Sequence, residues 1–143
     1  MMDQSTTAVL IAERDSDWLA WAVRLRSAGI VRVVAQREDE TSSRFATRVR
    51  AELADVGDVD TAVLAGAGQH DGEALASRAL MVQALASHMN LTADGRILLD
   101  GGDTDRGRFA MEALAAVVGD QLQATGVQIV AGRKPEAATP LAA

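Results

Sequence analysis

A chain of 143 residues that is 48% hydrophobic but only 3% aromatic is predicted to form one domain with an aliphatic core. It contains no cysteine, which excludes disulfides and thiolate zinc sites, and its net charge of −6 without a basic patch predicts that nucleic acid is not a partner. The chain starts without a signal-peptide pattern and no apolar run reaches about 18 residues, so we expect a cytoplasmic protein with no membrane contact.

The first part of the chain alternates apolar runs with segments of helical periodicity. Thr7–Ala12 is a continuous apolar run, which is typical of a strand buried on both faces of a parallel sheet. Residues 15–17 are two aspartates around a serine, which predicts the cap of a first helix that ends at Gly29. Ile30–Ala35 is predicted to be the second strand, and residues 40–43 offer the cap of a second helix.

The middle of the chain continues this alternation. The second helix is predicted to end at Gly57 and to bury one apolar stripe, formed by Phe45, Val49, Leu53 and Val56. Thr61–Ala65 is the third predicted strand, and the glycine-rich loop 66–72 follows it. The third helix runs from about Glu73 to Met89 and is apolar around more than one stripe, which predicts burial on more than one side.

The last part of the chain supplies two more strands and one helix. A turn at residues 94–95 precedes the fourth predicted strand, Arg96–Asp100. The fourth helix has an apolar face formed by Phe109, Ala113, Ala116 and Val117. Val127–Ala131 is the fifth predicted strand, and residues 133–143, which hold both prolines, are expected to be a flexible tail.

Strands that alternate with helices predict right-handed βαβ units and therefore a sheet whose strands are mainly parallel. We predict an α/β fold, namely a three-layer α/β/α sandwich with a five-stranded, mainly parallel, Rossmann-like sheet. A single domain is expected to span residues 1–132.

In such sheets, ligands bind beyond the carboxyl ends of the strands, near the point where the strand order reverses. The loops 66–72 and 101–107 follow strands and precede helices, so their backbone N–H groups are candidates for holding a phosphate. The candidate cofactor-binding residues are Asp15, Gly66, Gly68, Gly101, Gly102 and Gly107. Simple turn chemistry is the alternative for the first loop, because it lacks the spacing of a dinucleotide or P-loop motif.

Acidic residues are expected at the same edge of the sheet. A magnesium site is one interpretation of Asp15, Asp100, Asp103 and Asp105. The alternative is helix capping by Asp103 or Thr104, with acidic residues favoured in the first helical turn. His70 lies in a candidate site loop, but a general base there would need a nucleophile that no motif supplies, so a surface histidine is the alternative.

The order of elements, with no helix after the fifth strand, resembles the universal stress protein family. The opening residues 9–12, followed by acidic residues and Ser16, are similar to that family's opening strand, and residues 97–102 with 127–130 resemble its last strand-helix-strand unit. The resemblance implies a nucleotide such as ATP as ligand and a homodimer formed through the last strand, here the edge Val127–Ala131. The family's ATP-binding glycines end in Gly-Ser or Gly-Thr, whereas Gly119 here is followed by Asp120.

These observations favour a non-catalytic regulatory or stress-type domain that works as a homodimer and binds a small phosphorylated ligand. One alternative is a magnesium-dependent phosphoryl-transfer enzyme that uses the strand-end carboxylates. Another is a degenerate receiver-like signalling or interaction module, which would explain residues 134–135 after the fifth strand, although Ala65 and Gly66 stand where a phosphoacceptor aspartate belongs.

Overall fold

Five strands and four helices alternate along the chain in a computed structural model that describes residues 7–27, 29–57, 59–67, 71–89, 95–122 and 127–132. Gly68, His70 and the tail 133–143, which includes Lys134, lie outside the described residues. The elements are β1 Thr7–Ala12, α1 Trp18–Arg26, β2 Ile30–Ala35, α2 Ser42–Leu53, β3 Thr61–Ala65, α3 Gly72–Ser87, β4 Arg96–Asp100, α4 Asp105–Gln121 and β5 Gln128–Gly132.

The strands form one sheet in the order β2-β1-β3-β4-β5, and every neighbouring pair is parallel. This is the doubly wound order of flavodoxin-like folds, in which the strand order reverses between β1 and β3. The register places Ala12 beside Ala65, and Ala65 beside Asp100, so the carboxyl ends of the central strands meet at one edge. The predicted parallel, Rossmann-like sandwich is confirmed.

The two faces of the sheet are covered unequally. On one face, α2, α3 and α4 pack over the larger apolar cluster, which includes Val9, Phe45 and Leu64. On the other face, α1 packs over β2, β1 and β3, and Trp21 and Leu25 fill the smaller cluster. The sequences of β1 and β3 are continuously apolar because these strands are buried on both faces after their first residue.

Helix α4 is oriented differently from what its apolar residues suggest. The face formed by Phe109, Ala113, Ala116 and Val117 is exposed to solvent. The buried residues of α4 are Gly107, Met111, Leu114 and Val118. Close packing explains this orientation, because a Cβ at Gly101 would lie 2.1 Å from the carbonyl oxygen of Gly107. The backbone contact at Gly107 therefore sets which side of α4 meets the sheet.

The predicted helix starts are confirmed for α2 and need correction for α1. The Thr41 hydroxyl accepts a hydrogen bond from the backbone N–H of Arg44, as an N-cap does. Asp17 occupies the N-cap position of α1, but its side chain makes no cap hydrogen bond. Asp15 has a positive φ of 66°, and both the backbone N–H and the Oγ of Ser16 donate to the carbonyl of Glu13, so residues 13–16 form a turn before the helix. The fifth strand lies one residue later than predicted.

Within the described residues, no helix combines the length and apolar character that crossing a bilayer requires.

We predict that Gly101→Ala destabilises the protein, because the added Cβ would overlap the Gly107 backbone, which cannot move aside as a side chain can. The expected loss in the free energy of unfolding is about 1–3 kcal/mol, as for other overpacked sites. Gly119→Ala is the control, since nothing lies within 4 Å of its added Cβ, and alanine inside a helix is favoured by about 0.5–1 kcal/mol. Urea denaturation measures both, and equal stability of the two variants would contradict the close approach.

Candidate functional site

The switch point between β1 and β3 is occupied by a buried ion pair. Glu13 follows β1, and its backbone N–H donates to the carbonyl of Ala65 at 2.9 Å. Its carboxylate accepts two hydrogen bonds from Arg78 of α3, Nε to Oε2 at 2.5 Å and Nη2 to Oε1 at 2.6 Å. The Arg78 side chain is 0% exposed and that of Glu13 is 11% exposed. Such a two-point guanidinium–carboxylate pair holds both groups in a defined orientation.

Arg78 is a residue that the sequence analysis missed. It lies in the broadly apolar α3, and no motif of the sequence includes it. An arginine inside such an apolar helix indicates a buried ion pair, because arginine is almost never fully buried unless it is paired. The carboxylate 65 residues earlier could not be identified from that signal alone.

A second buried contact lies at the end of β4. Asp100 is 5% exposed, and its Oδ2 accepts a hydrogen bond of 2.7 Å from Trp21 Nε1 on α1. Its Oδ1 accepts a hydrogen bond of 2.9 Å from the backbone N–H of Gly102. Both carboxylate oxygens of Asp100 are therefore used within the fold. Trp21 therefore both fills the smaller apolar cluster and positions a strand-end acid.

The candidate glycines pack closely against neighbouring groups. A Cβ at Gly66 would lie 2.8 Å from Met111 Cε and 3.1 Å from Arg78 Nη2. Gly102 has a φ of +88°, which L side chains rarely adopt. Close packing at Gly66 and Gly101 and the backbone conformation of Gly102 therefore explain the glycines at these positions without a ligand. Gly107 is buried, and its N–H donates to the Thr104 hydroxyl at 3.0 Å.

A third network connects the carboxyl ends of β1 and β2. Arg14 Nη1 donates to the carbonyl of Glu40 at 3.1 Å, and Gln36 Nε2 donates to the same carbonyl at 2.7 Å. The Glu40 carboxylate accepts from Arg48 Nε and Nη2, both at 2.8 Å. These hydrogen bonds hold the pKa of Glu40 below its ordinary value, against the opposing effect of burial.

The four candidate metal ligands are not brought together as magnesium would require. Among the residues that the structure describes, no group of three or more acidic or histidine side chains could hold a metal ion. Asp100 is engaged by Trp21 and Gly102, and Asp105 forms an exposed ion pair with Arg108. The structure therefore supports separate roles for Asp15, Asp100, Asp103 and Asp105 rather than a shared ion.

A cleft of about 270 Å³ opens between α4 and the ends of β4 and β5. Its lining residues are Leu99, Gly101, Asp105, Arg108, Phe109, Met111, Glu112, Ala131 and Gly132. Ligand pockets usually have volumes of about 300–1,000 Å³, so this cleft suits a small ligand better than a whole nucleotide. The cleft is lined by two acidic side chains, Asp105 and Glu112, and one basic side chain, Arg108, and this excess of negative charge disfavours a phosphate.

Comparisons with known proteins define the fold but not a family. No protein-family model matches the chain, and no curated protein sequence matches it. The solved structure of BdcA (YjgI) from E. coli is similar, with a TM-score of 0.64 and 15% sequence identity over 88% of this chain and 82% of that chain. At this identity, the similarity establishes a shared α/β architecture.

We predict that Glu13→Gln destabilises the protein, because it removes the charge that balances Arg78 in a buried pair. Breaking such a pair costs about 3–5 kcal/mol. The control is Asp105→Asn, the same acid-to-amide change in an exposed pair, with an expected cost below about 1 kcal/mol. Adding Arg78→Met to Glu13→Gln should recover part of the loss. Chemical denaturation measures all variants, and equal costs for the two amide changes would contradict a structural role for the pair.

The lowered pKa of Glu40 predicts a pH-dependent contribution to stability. Because this pKa is lower in the folded than in the unfolded protein, the contribution is complete above the unfolded value of about 4.3 and is lost as the pH falls through the folded value. Glu40→Gln should therefore be less stable than the parent at neutral pH, and this difference should shrink in acid. Urea denaturation across this pH range tests it, and a constant difference would be contrary evidence.

Proposed function

We propose that this chain is a non-catalytic regulatory α/β domain that works as a homodimer. The observation that carries the proposal is the Glu13–Arg78 pair. In this architecture, ligands bind at the switch point, and here two charged side chains occupy it by binding each other. A buried pair held by two hydrogen bonds is a poor source of a general acid, base or nucleophile, because releasing either partner leaves a charge unbalanced.

The magnesium-dependent phosphoryl-transfer alternative receives no support from the geometry. It needs several carboxylates around one ion, and the described acidic side chains form no such group. Asp100, at the centre of the proposed set, uses both oxygens to hold Trp21 and the Gly102 backbone. This geometry favours a binding module over that enzyme.

The two family resemblances stay predictions. The comparisons do not bear on the universal stress protein family, and the alternation of strands and helices is common to many α/β domains. For the receiver-like alternative, Ala65 and Gly66 lie at the end of β3, where a phosphoacceptor would be needed. The phosphorylated small ligand also stays a prediction, and its measurement is titration calorimetry with ATP and with inorganic phosphate.

Support for a homodimer comes from surfaces that a single copy leaves open. In the part of the chain that the structure describes, β5 pairs with β4 alone, and the other edge of β5 has no strand beside it. Such an edge presents backbone N–H and C=O groups to a second chain. Several large apolar side chains are also exposed, including Leu19, Val23 and Phe109.

We expect the purified chain to form a dimer whose population rises with concentration. Sedimentation velocity across a dilution series measures this, with light scattering as an independent mass. A monomer at every concentration would remove the homodimer from the proposal. Turnover of ATP in the presence of magnesium, lost in a variant of a strand-end carboxylate, would contradict the non-catalytic part.

A further inference from the structure

The outward face of α4 is an exposed apolar stripe. Phe109 is 70% exposed and Val117 is 58% exposed, which is unusual for residues of this size in a folded domain. Ala113 and Ala116 lie between them on the same side of the helix and are also exposed. These four residues are called the α4 stripe. Met111, Leu114 and Val118 occupy the opposite, buried side, so the stripe contributes nothing to the core.

One charged residue of each sign brackets the α4 stripe. Arg106 lies three residues before Phe109, and Asp120 lies three residues after Val117, so both share the face of the stripe. Both side chains are exposed. The pattern is symmetric about Ala113, because Phe109 and Val117 are each four residues away and Arg106 and Asp120 are each seven residues away.

We propose that the α4 stripe is the contact between two copies of this chain, packed antiparallel about a two-fold axis at Ala113. This inference rests on the proposed homodimer and names its surface. In that arrangement, Phe109 of one copy meets Val117 of the other, and Arg106 of one meets Asp120 of the other, twice over. A two-fold interface requires such self-complementarity, since each residue must find its match on an identical surface.

Charge selects the antiparallel orientation over the parallel one. A parallel pair would place Arg106 against Arg106 and Asp120 against Asp120, and like charges across an interface suppress the wrong pairing.

The small side chains at Ala113 and Ala116 allow the two helix axes to approach to about 8–10 Å. A single pair of helices buries less than the roughly 1,200 Å² of a standard interface, so the dimer is weak and reversible.

The first test places a charge on the proposed axis. Ala113→Glu sets two carboxylates against each other and should raise the dimer dissociation constant by at least about tenfold. Ala51→Glu is the matched control, because it introduces the same change at an exposed alanine of α2 and should leave the constant within about twofold. Circular dichroism and thermal denaturation verify that both variants fold. Equal weakening by both substitutions would overturn the assignment.

The second test exchanges the charges. Arg106→Asp and Asp120→Arg should each weaken the dimer several-fold, because each brings like charges together twice. The double variant restores opposite charges in the antiparallel arrangement, so its dissociation constant should return to within about twofold of the parent. Failure of the double variant to recover would contradict the pairing of these two positions.

Cysteine cross-linking reports the orientation directly, because the parent chain has no cysteine. Ala113→Cys should form a disulfide-linked dimer on oxidation, and Ala51→Cys should not. A mixture of Arg106→Cys and Asp120→Cys chains should cross-link to each other in preference to either variant alone.

These outcomes separate the two proposals. A parent chain that stays monomeric at all concentrations overturns both the homodimer and the α4 contact. The parent chain and Ala113→Glu could instead dimerise equally, while Ala113→Cys fails to cross-link. That result overturns the α4 contact alone and leaves the β5 edge as the surface to test for the homodimer.

Discussion

The buried guanidinium of Arg78 is the constraint to which the switch-point edge of the sheet is adapted. A charge that is fully removed from water must be balanced, and Glu13 balances the α3 guanidinium from the end of β1. The pair reaches across the end of β3, where a Cβ at Gly66 would lie 3.1 Å from Nη2 of Arg78, a tight contact. The ion pair therefore connects α3 to the end of β1, and a glycine at the neighbouring strand end keeps the space beside the guanidinium open.

The same use of charge recurs along this edge of the sheet. Asp100 holds Trp21 of α1 from the end of β4, and Glu40 holds Arg48 beside the ends of β1 and β2. In many α/β proteins, residues at these positions contact a ligand. Here their hydrogen bonds link helices and loops to strand ends, so they orient the layers of the fold. This is the physical reason for proposing a binding role for the surfaces of the domain rather than chemistry at the strand ends.

Unequal layering determines which surfaces are available. Helix α1 covers part of one face of the sheet, and α4 covers the β4–β5 region of the other face while its apolar outer side meets water. The backbone approach of Gly107 to Gly101 sets the rotation of α4, and this rotation buries Met111 while exposing Phe109. A contact made to satisfy core packing thus also creates the proposed docking stripe.

The sequence by itself determined the local elements, because their signals lie within a few residues of each other. The continuous apolar runs predicted four strands at their observed bounds, and the segment 40–43 predicted the start of α2, which Thr41 caps. The tertiary structure alone decided the order of the strands, the partner of Arg78 and the outward rotation of α4. These depend on which distant segments meet: Glu13 and Arg78 are 65 residues apart, and the spacing of Phe109 with Val117 describes a helix face without stating whether that face meets core or water.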